Sequence, residues 1–194
     1  MNKNRLEAFS DGVLAIIITI MVLEIKIPHG SDWLALKPLI PIFISYGLSF
    51  AYIGIYWGNH HHMLQSVRQV TSKMILANLN LLFWLSMVPF ATGWMGENEF
   101  KSNPMALYGI ILFLSGASYS ILQKSVERNA HEIESLKLAY KFMNQKGKIS
   151  TIAYLASIPL AYLEPYISFS IYIIVAIMWL VPDKNIEKAL KAKD

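Results

Sequence analysis

Cysteine is absent from the 194 residues, and charged side chains are few. Without thiols the chain has neither disulfides nor thiolate metal ligands, so its cysteine usage does not indicate a redox compartment. Only 15% of the residues are charged, against 55% that are hydrophobic, and the mean hydropathy is positive. This balance excludes a disordered chain and argues against an ordinary soluble domain. It is typical of a protein that crosses a membrane several times.

Six apolar blocks follow one another along the chain, and each is predicted to form a membrane helix. They cover residues 9–27, 39–57, 74–94, 105–122, 149–163 and 166–181. The connector 123–148 mixes apolar and charged residues, which fits a cytoplasmic helical extension, an interfacial helix or a solvated linker. A short charged tail, 182–194, follows the last block. The sequence therefore predicts a single all-α domain with six transmembrane helices.

The Lys and Arg residues are distributed unevenly between the two sides of these blocks. Six crossings place both termini, the loop 58–73 and the connector 123–148 on one side, together with 14 of the 17 basic residues. The opposite side has only Lys26, Lys37 and Lys101. The positive-inside rule then predicts a multi-pass protein of the cell (inner) membrane with cytoplasmic N- and C-termini. The net charge of +4 is explained by this topology and by contact with anionic membrane lipids, without nucleic acid as a partner.

The first block is shorter than a lipid-facing helix needs to be. Its uncharged part is residues 12–23, between Asp11 and Glu24. As a helix this part rises about 18 Å, whereas the hydrocarbon of a bilayer is about 30 Å thick. The charged ends would have to lie in protein or in water-filled vestibules. This favours a place at the centre of an assembly over a place at its rim.

One face of the first block carries Ile16, Thr19, Ile20 and Leu23, at spacings i, i+3, i+4 and i+7. Such a stripe often packs against the core of the same chain. In an oligomer it can instead face a central axis. The residue pattern by itself leaves both interpretations open.

The sequence His60-His61-His62 near the end of the second block is the most obvious candidate for a metal site. Adjacent side chains on a helix point in different directions, so one site would use at most two of the three. The other histidines, His29 and His131, are predicted to lie on opposite sides of the membrane. Hydrogen bonding at a helix end explains the cluster better, and neither a metal nor another cofactor is predicted.

Three motifs combine aromatic and polar residues at fixed spacings. They are R-x-x-x-F-S-D (Arg5, Phe9, Ser10, Asp11), W-x-x-H-H (Trp57, His60, His61) and Asn80 followed by Pro89-Phe90-Ala91-Thr92 in the third block. All three resemble motifs of the transmembrane protein 175 family, the potassium channels of animal endosomes and lysosomes and their bacterial relatives. Six apolar blocks match one repeat of that family, so the resemblance covers nearly the whole chain.

The resemblance implies a homotetramer around the first helices, because bacterial members of the family carry one repeat per chain. It implies that Ile16, Ile20 and Leu23 form the pore constriction, that Thr19 is a polar layer between them, and that potassium and other monovalent cations permeate. It also implies a polar network that holds the first helix, made by Arg5, Phe9, Ser10, Asp11, Trp57, His60 and His61. The sequence has no T-V-G-Y-G filter, so an apolar constriction would control flow by dewetting.

Two other classes of membrane protein also have six apolar blocks. A secondary transporter would need an inverted repeat and broken helices near the middle of the membrane, and no repeat is evident. An intramembrane enzyme would need an ionisable pair inside a span, whereas Asp11 lies at the edge of its block. The sequence thus predicts a potassium-permeable cation channel and no enzyme, with a secondary transporter or a proton-leak pathway of the inner membrane as the alternative.

Overall fold

The computed structural model describes residues 2–67, 69–130 and 134–180 of the chain. Within these ranges the chain forms seven α-helices and one 3-10 helix. In chain order they are α1 (Lys3–Leu23), the 3-10 helix (Trp33–Leu39), α2 (Ile40–Gln65), α3 (Ser72–Ser86), α4 (Val88–Glu97), α5 (Ser102–Glu127), α6 (Glu134–Leu163) and α7 (Pro165–Leu180). The predicted tail 182–194 lies outside the described residues.

The first helix begins and ends earlier than the apolar block 9–27. Asn2 caps its N-terminus, because the Asn2 side-chain oxygen accepts a hydrogen bond from the Asn4 N–H at 3.3 Å. The helix ends at Leu23, shortly before Pro28, which has no N–H to donate to a further turn. The entire R-x-x-x-F-S-D motif is therefore helical, and its side chains are spread around one helix.

The third apolar block is divided into two helices at Met87. Pro89 is one of the first two residues of α4, where a missing N–H is tolerated. In an unbroken helix the residue at this position would donate to the carbonyl of Leu85, and proline removes that bond. α3 and α4 together form one span, from 72 to 97, with a break near its middle.

The segment predicted as a connector, 123–148, is helical over most of its described length. α5 continues to Glu127, and α6 begins at Glu134 and runs without interruption to Leu163. The turns after α2 and after α5 meet through an isolated antiparallel bridge between Val67 and Ala130. The described part of the connector is thus largely helical, and whether it is a cytoplasmic extension or an interfacial helix stays a prediction.

Four helical segments of the described chain are long and apolar enough to cross a membrane. They are Lys3–Leu23, Trp33–Gln65, Ser72–Glu97 and Ser102–Glu127. α7 is apolar but shorter, and α6 combines a lysine-bearing first half with the apolar stretch 149–163. The chain is therefore an all-α, polytopic membrane protein with six helical spans, of which the third consists of α3 and α4.

Buried hydroxyl groups connect these spans to one another. Ser49 Oγ on α2 lies 2.7 Å from Thr92 Oγ1 on α4 and 2.9 Å from Tyr108 Oη on α5. Tyr172 on α7 donates a hydrogen bond of 2.9 Å to the carbonyl of Met105 on α5. Lipid provides no hydrophobic force between helices, so close packing and interhelical hydrogen bonds have to hold such a bundle together.

Two glycines mark the closest approaches between helices. A Cβ atom at Gly96 on α4 would lie 2.8 Å from the backbone Cα of Ile42 on α2. A Cβ atom at Gly109 on α5 would overlap the hydroxyl of Tyr172. By contrast, a Cβ atom at Gly116, two turns further along α5, would meet nothing closer than Tyr154 at 3.7 Å.

We expect Gly109→Ala to lower the thermal unfolding temperature of the purified protein. The added methyl group would displace the buried Tyr172 hydroxyl from Met105, and overpacking of this kind costs about 1–3 kcal/mol. Gly116→Ala is the matched control, because it makes the same chemical change on the same helix where the new methyl group meets only ordinary van der Waals contacts, and it should leave stability unchanged or raise it slightly. Equal losses in both variants would contradict the packing described here.

Candidate functional site

α1 has one face that the rest of the chain covers and one that it leaves open. The covered face consists of Leu6, Ser10, Leu14, Ile17 and Met21. The open face carries the predicted constriction residues Ile16, Thr19, Ile20 and Leu23, which we call the exposed stripe. The contrast is sharp between neighbours, since Ile16 is 60% exposed and Ile17 is 3% exposed. The chain therefore does not use the exposed stripe for its own core.

The exposed stripe contains one polar group. Thr19 Oγ1 donates a hydrogen bond of 2.9 Å to the carbonyl of Ala15 on the previous turn, which leaves the oxygen lone pairs available on the open side. Along its edge the stripe borders an open groove of about 370 Å³ between α1 and the α3–α4 break. Ile16, Ile20 and Glu24 line this groove from α1, and Pro89 and Phe90 line it from α4.

A chain of buried hydrogen bonds attaches α1 to α3 and α2. Ser10 Oγ donates to the carbonyl of Leu6 and accepts from Asn78 Nδ2, both at 2.9 Å. Asn78 Oδ1 in turn lies 2.7 Å from His60 Nε2. Because an amide oxygen only accepts, the His60 Nε2 atom is the donor and carries the proton. Ser10, Asn78 and His60 are all buried, so water does not compete for these bonds.

Two further contacts join α1 to α2 at the rim of this chain of bonds. Trp57 Nε1 donates a hydrogen bond of 3.0 Å to the Asp11 carboxylate. His61 Nδ1 contacts the Glu7 carboxylate, and Gln65 Nε2 lies 2.7 Å from His61 Nε2. If the Gln65 amide donates to Nε2, a neutral His61 still has the Nδ1 proton that Glu7 requires. The end of α1 that carries the sequence motif is thus contacted by three polar side chains of α2 and α3, which are Trp57, His61 and Asn78.

The opposite end of α1 is held more weakly. Lys26 Nζ lies 2.6 Å from Glu97 Oε1 at the end of α4, and both side chains are largely exposed. The hydrogen bond to Glu97 and the charge of its carboxylate raise the pKa of the Lys26 ammonium above its ordinary value. Exposed ion pairs contribute little to stability and are screened by salt.

The structure brings together most of the predicted network but not all of it. Ser10 and His60 join through Asn78, whereas Asp11 with Trp57 and His61 with Glu7 form separate pairs. Arg5 and Phe9 are exposed, and neither makes a hydrogen bond or ion pair within the described part of the chain. Both project from the open side of α1, four residues apart.

Three members of the network were not predicted from the sequence: Glu7, Gln65 and Asn78. Glu7 lies one helical turn before Asp11, and this position beside the R-x-x-x-F-S-D motif is the one sequence feature that could have indicated its role in the network. In the third block the motif comparison selected Asn80, which donates instead to Ser118 on α5 at 2.7 Å. Two residues on a helix differ by about 200° in direction, so Asn78 and Asn80 face different neighbours.

The histidine cluster is not part of a metal site within the described residues. There, no group of three or more His, Asp or Glu side chains is placed to bind a metal ion. His60 Nε2 is occupied by Asn78 and His61 Nδ1 by Glu7. Both histidines therefore contact side chains that join α1, α2 and α3.

Asn78→Leu should destabilise the fold strongly, because it leaves the Nε2–H of buried His60 without an acceptor. An unsatisfied buried donor costs about 1–3 kcal/mol, which is measurable as a lower unfolding temperature in detergent. Asn80→Leu is the control on the same helix, since Asn80 is exposed and its partner Ser118 keeps its bond to the Leu114 carbonyl. A loss for Asn80→Leu as large as that for Asn78→Leu would contradict the central place of Asn78.

Comparison with known proteins gives one consistent result. The model of the family described as endosomal/lysosomal potassium channel TMEM175 matches residues 5–89. A potassium channel of Chryseobacterium sp. is 52% identical over 193 residues, which are 98% of this chain and 99% of that relative. The endosomal/lysosomal proton channel TMEM175 of Mus musculus is 31% identical over 165 residues, which are 75% of this chain and 32% of the mouse protein.

The fold agrees as well. The crystal structure of a lysosomal potassium-selective channel TMEM175 homolog from Chamaesiphon minutus matches with a TM-score of 0.82 at 26% identity, over 92% of this chain and 96% of that chain. The resemblance of the sequence motifs is thereby confirmed. On the strength of a relative that is 52% identical over nearly the full length of both chains, the chain belongs to the TMEM175 family.

Proposed function

We propose that four copies of this chain form a potassium-permeable cation channel whose pore is lined by α1. The observation that carries this proposal is the exposed stripe, where Ile16, Ile20 and Leu23 lie open while Ile17 and Met21 on the same helix are buried. The charged residues at both ends of this short apolar stretch are costly in lipid, which favours a position for α1 at the centre of an assembly. The potassium channel of Chryseobacterium sp. supports the choice of ion.

In this assembly each of Ile16, Ile20 and Leu23 contributes a ring of four apolar side chains. A narrow apolar neck removes water from an ion without supplying oxygen ligands to replace it, so it controls ion flow by dewetting. Thr19 lies between the rings formed by Ile16 and Ile20 and supplies one layer of hydroxyl oxygens. Its bond to the Ala15 carbonyl fixes the hydroxyl hydrogen toward the backbone, so that the oxygen lone pairs face the cation.

The polar network would then serve as the support of the pore. Buried bonds from Ser10 and the pair of Asp11 with Trp57 hold α1 at a fixed rotation about its own axis. That rotation decides which residues face the axis, because one residue corresponds to about 100°. We place the protein in the cell membrane with both termini in the cytoplasm, which puts this network at the cytoplasmic mouth.

A recording from the purified protein in a planar bilayer tests the proposal directly. With potassium on one side and sodium on the other, the reversal potential reports permeation and preference together. A second recording, with a proton gradient and impermeant ions, measures proton flow. Proton conduction is the activity named for the mouse relative. Flux that saturates with concentration and does not scale with voltage would indicate a secondary transporter and would remove the channel from consideration.

Ile16→Asn and Ile20→Asn are expected to raise cation conductance and to weaken discrimination between potassium and sodium. Asparagine wets the neck, so the barrier caused by dehydration falls. Ile17→Asn is the control at the adjacent position. Because Ile17 is buried, its replacement should impair packing without raising the current. Unchanged single-channel currents in the first two variants, or a larger current in the third, would move the pore to a different face of α1.

Asp11→Ala should harm tetramer assembly or channel opening more than it alters ion preference. The change removes the acceptor for Trp57 Nε1, and Asp11 lies away from the exposed stripe. Arg5→Ala should have a smaller effect of the same kind, because Arg5 is exposed. Size-exclusion chromatography and bilayer recording on the same preparation measure both properties. An intact tetramer with normal conductance and a changed reversal potential would assign the motif to ion selection instead.

A further inference from the structure

One side of α6 is exposed from its first half to its end, and its chemistry changes along the way. Between Ile149 and Leu163 the exposed residues are apolar, as expected of a surface against lipid acyl chains. Nearer the start of the helix, exposed lysines alternate with exposed apolar residues. We call this part the lysine face, formed by Lys141, Phe142, Lys148 and Ile149.

The lysine face lies in line with the lipid-facing surface because the helix is continuous. Residues seven apart differ by only about 20° in direction, so Lys141 lies under Lys148 and Phe142 under Ile149. Phe142 is 45% exposed and Ile149 is 56% exposed, although both are large apolar side chains. Their neighbours Met143 and Ser150 are buried, so the other side of the helix packs against the rest of the chain in this region.

The depth of the lysines in the bilayer follows from helix geometry. Leu163, just before Glu164, ends the apolar stretch of α6. Lys148 lies about 22 Å from Leu163 along the helix, and Lys141 about 33 Å. A hydrocarbon layer of about 30 Å therefore ends between them. Side chains on a helix lean toward its N-terminus, so the Lys148 ammonium extends out of the hydrocarbon toward the level of Lys141.

We propose that Lys141 and Lys148 bind the phosphate of an anionic phospholipid in the leaflet at this end of α6, with an acyl chain lying over Phe142 and Ile149. The two Cα atoms lie about 10 Å apart along the helix, and the flexible lysine side chains can both reach one phosphate at headgroup depth, where lysines attract anionic lipid. Phe142 continues the exposed apolar surface that begins at Ile149 and that we expect to face acyl chains. A second copy on the same face would bring lysine against lysine, which disfavours that occupant.

The proposal requires α6 to cross the bilayer, but it does not require the pore to be lined by α1. Its test is therefore a binding measurement and not a current. Native mass spectrometry of the purified protein, with equal amounts of phosphatidylglycerol and phosphatidylcholine, counts each bound lipid. We expect phosphatidylglycerol to be retained preferentially, and Lys141→Gln with Lys148→Gln to weaken its binding about fivefold or more while phosphatidylcholine is unaffected.

The matched control is Lys73→Gln with Lys124→Gln, which makes the same change in charge at two exposed lysines at the same end of the helices. It should keep the preference for phosphatidylglycerol. Equal lipid binding in both double variants and the parent would overturn the proposal. Because the chain has no cysteine, Phe142→Cys introduces a single thiol. Disulfide-linked dimers of this variant in the membrane would also overturn the proposal, by assigning the face to a second copy.

Discussion

The hydrogen bonds that join Ser10, Asn78 and His60 fix the rotation of α1, and the open face of that helix depends on them. Each of the three side chains is buried and has few alternative partners. A buried polar group without a partner costs free energy comparable to several apolar contacts. α1 can therefore turn about its axis only by breaking these bonds, and the covered and open faces stay distinct along the whole helix.

The same principle applies throughout the bundle, where serine, threonine and tyrosine hydroxyls link helices that are distant in sequence. Ser49, Thr92 and Tyr108 meet from three different spans. Lipid acyl chains offer these hydroxyl groups no competing hydrogen-bond partner. Close approach at Gly96 adds packing between α2 and α4. The bundle is thus stabilised by many small and specific contacts, and less by the bulk removal of apolar surface from water.

Much of this architecture could be predicted from the sequence because apolar blocks and basic residues follow simple rules in membranes. The six helical spans were expected. The predicted network residues Ser10, Asp11, Trp57, His60 and His61 do lie where α1 meets α2 and α3. The sequence could not predict that Asn78 bridges Ser10 and His60, or that Asn80 points to α5. Which asparagine faces which helix depends on the rotation of α3, and rotation follows from the packing of the whole bundle. The break at Met87 was missed for a related reason, since Pro89 is equally compatible with a kink inside one helix.

The contacts at the two ends of α1 differ in kind, so the helix can tilt more easily at one end than at the other. One end is fixed by buried hydrogen bonds at Ser10, whereas the polar contact described at the other end is the exposed, salt-screened pair of Lys26 and Glu97, beside the apolar packing of Met21. Ile16 lies about 9 Å from Ser10 along the helix and Leu23 about 20 Å. A tilt about the Ser10 fulcrum therefore moves Leu23 roughly twice as far as Ile16. In the tetramer proposed above, such a tilt would change the width of the Leu23 ring about twice as much as that of the Ile16 ring.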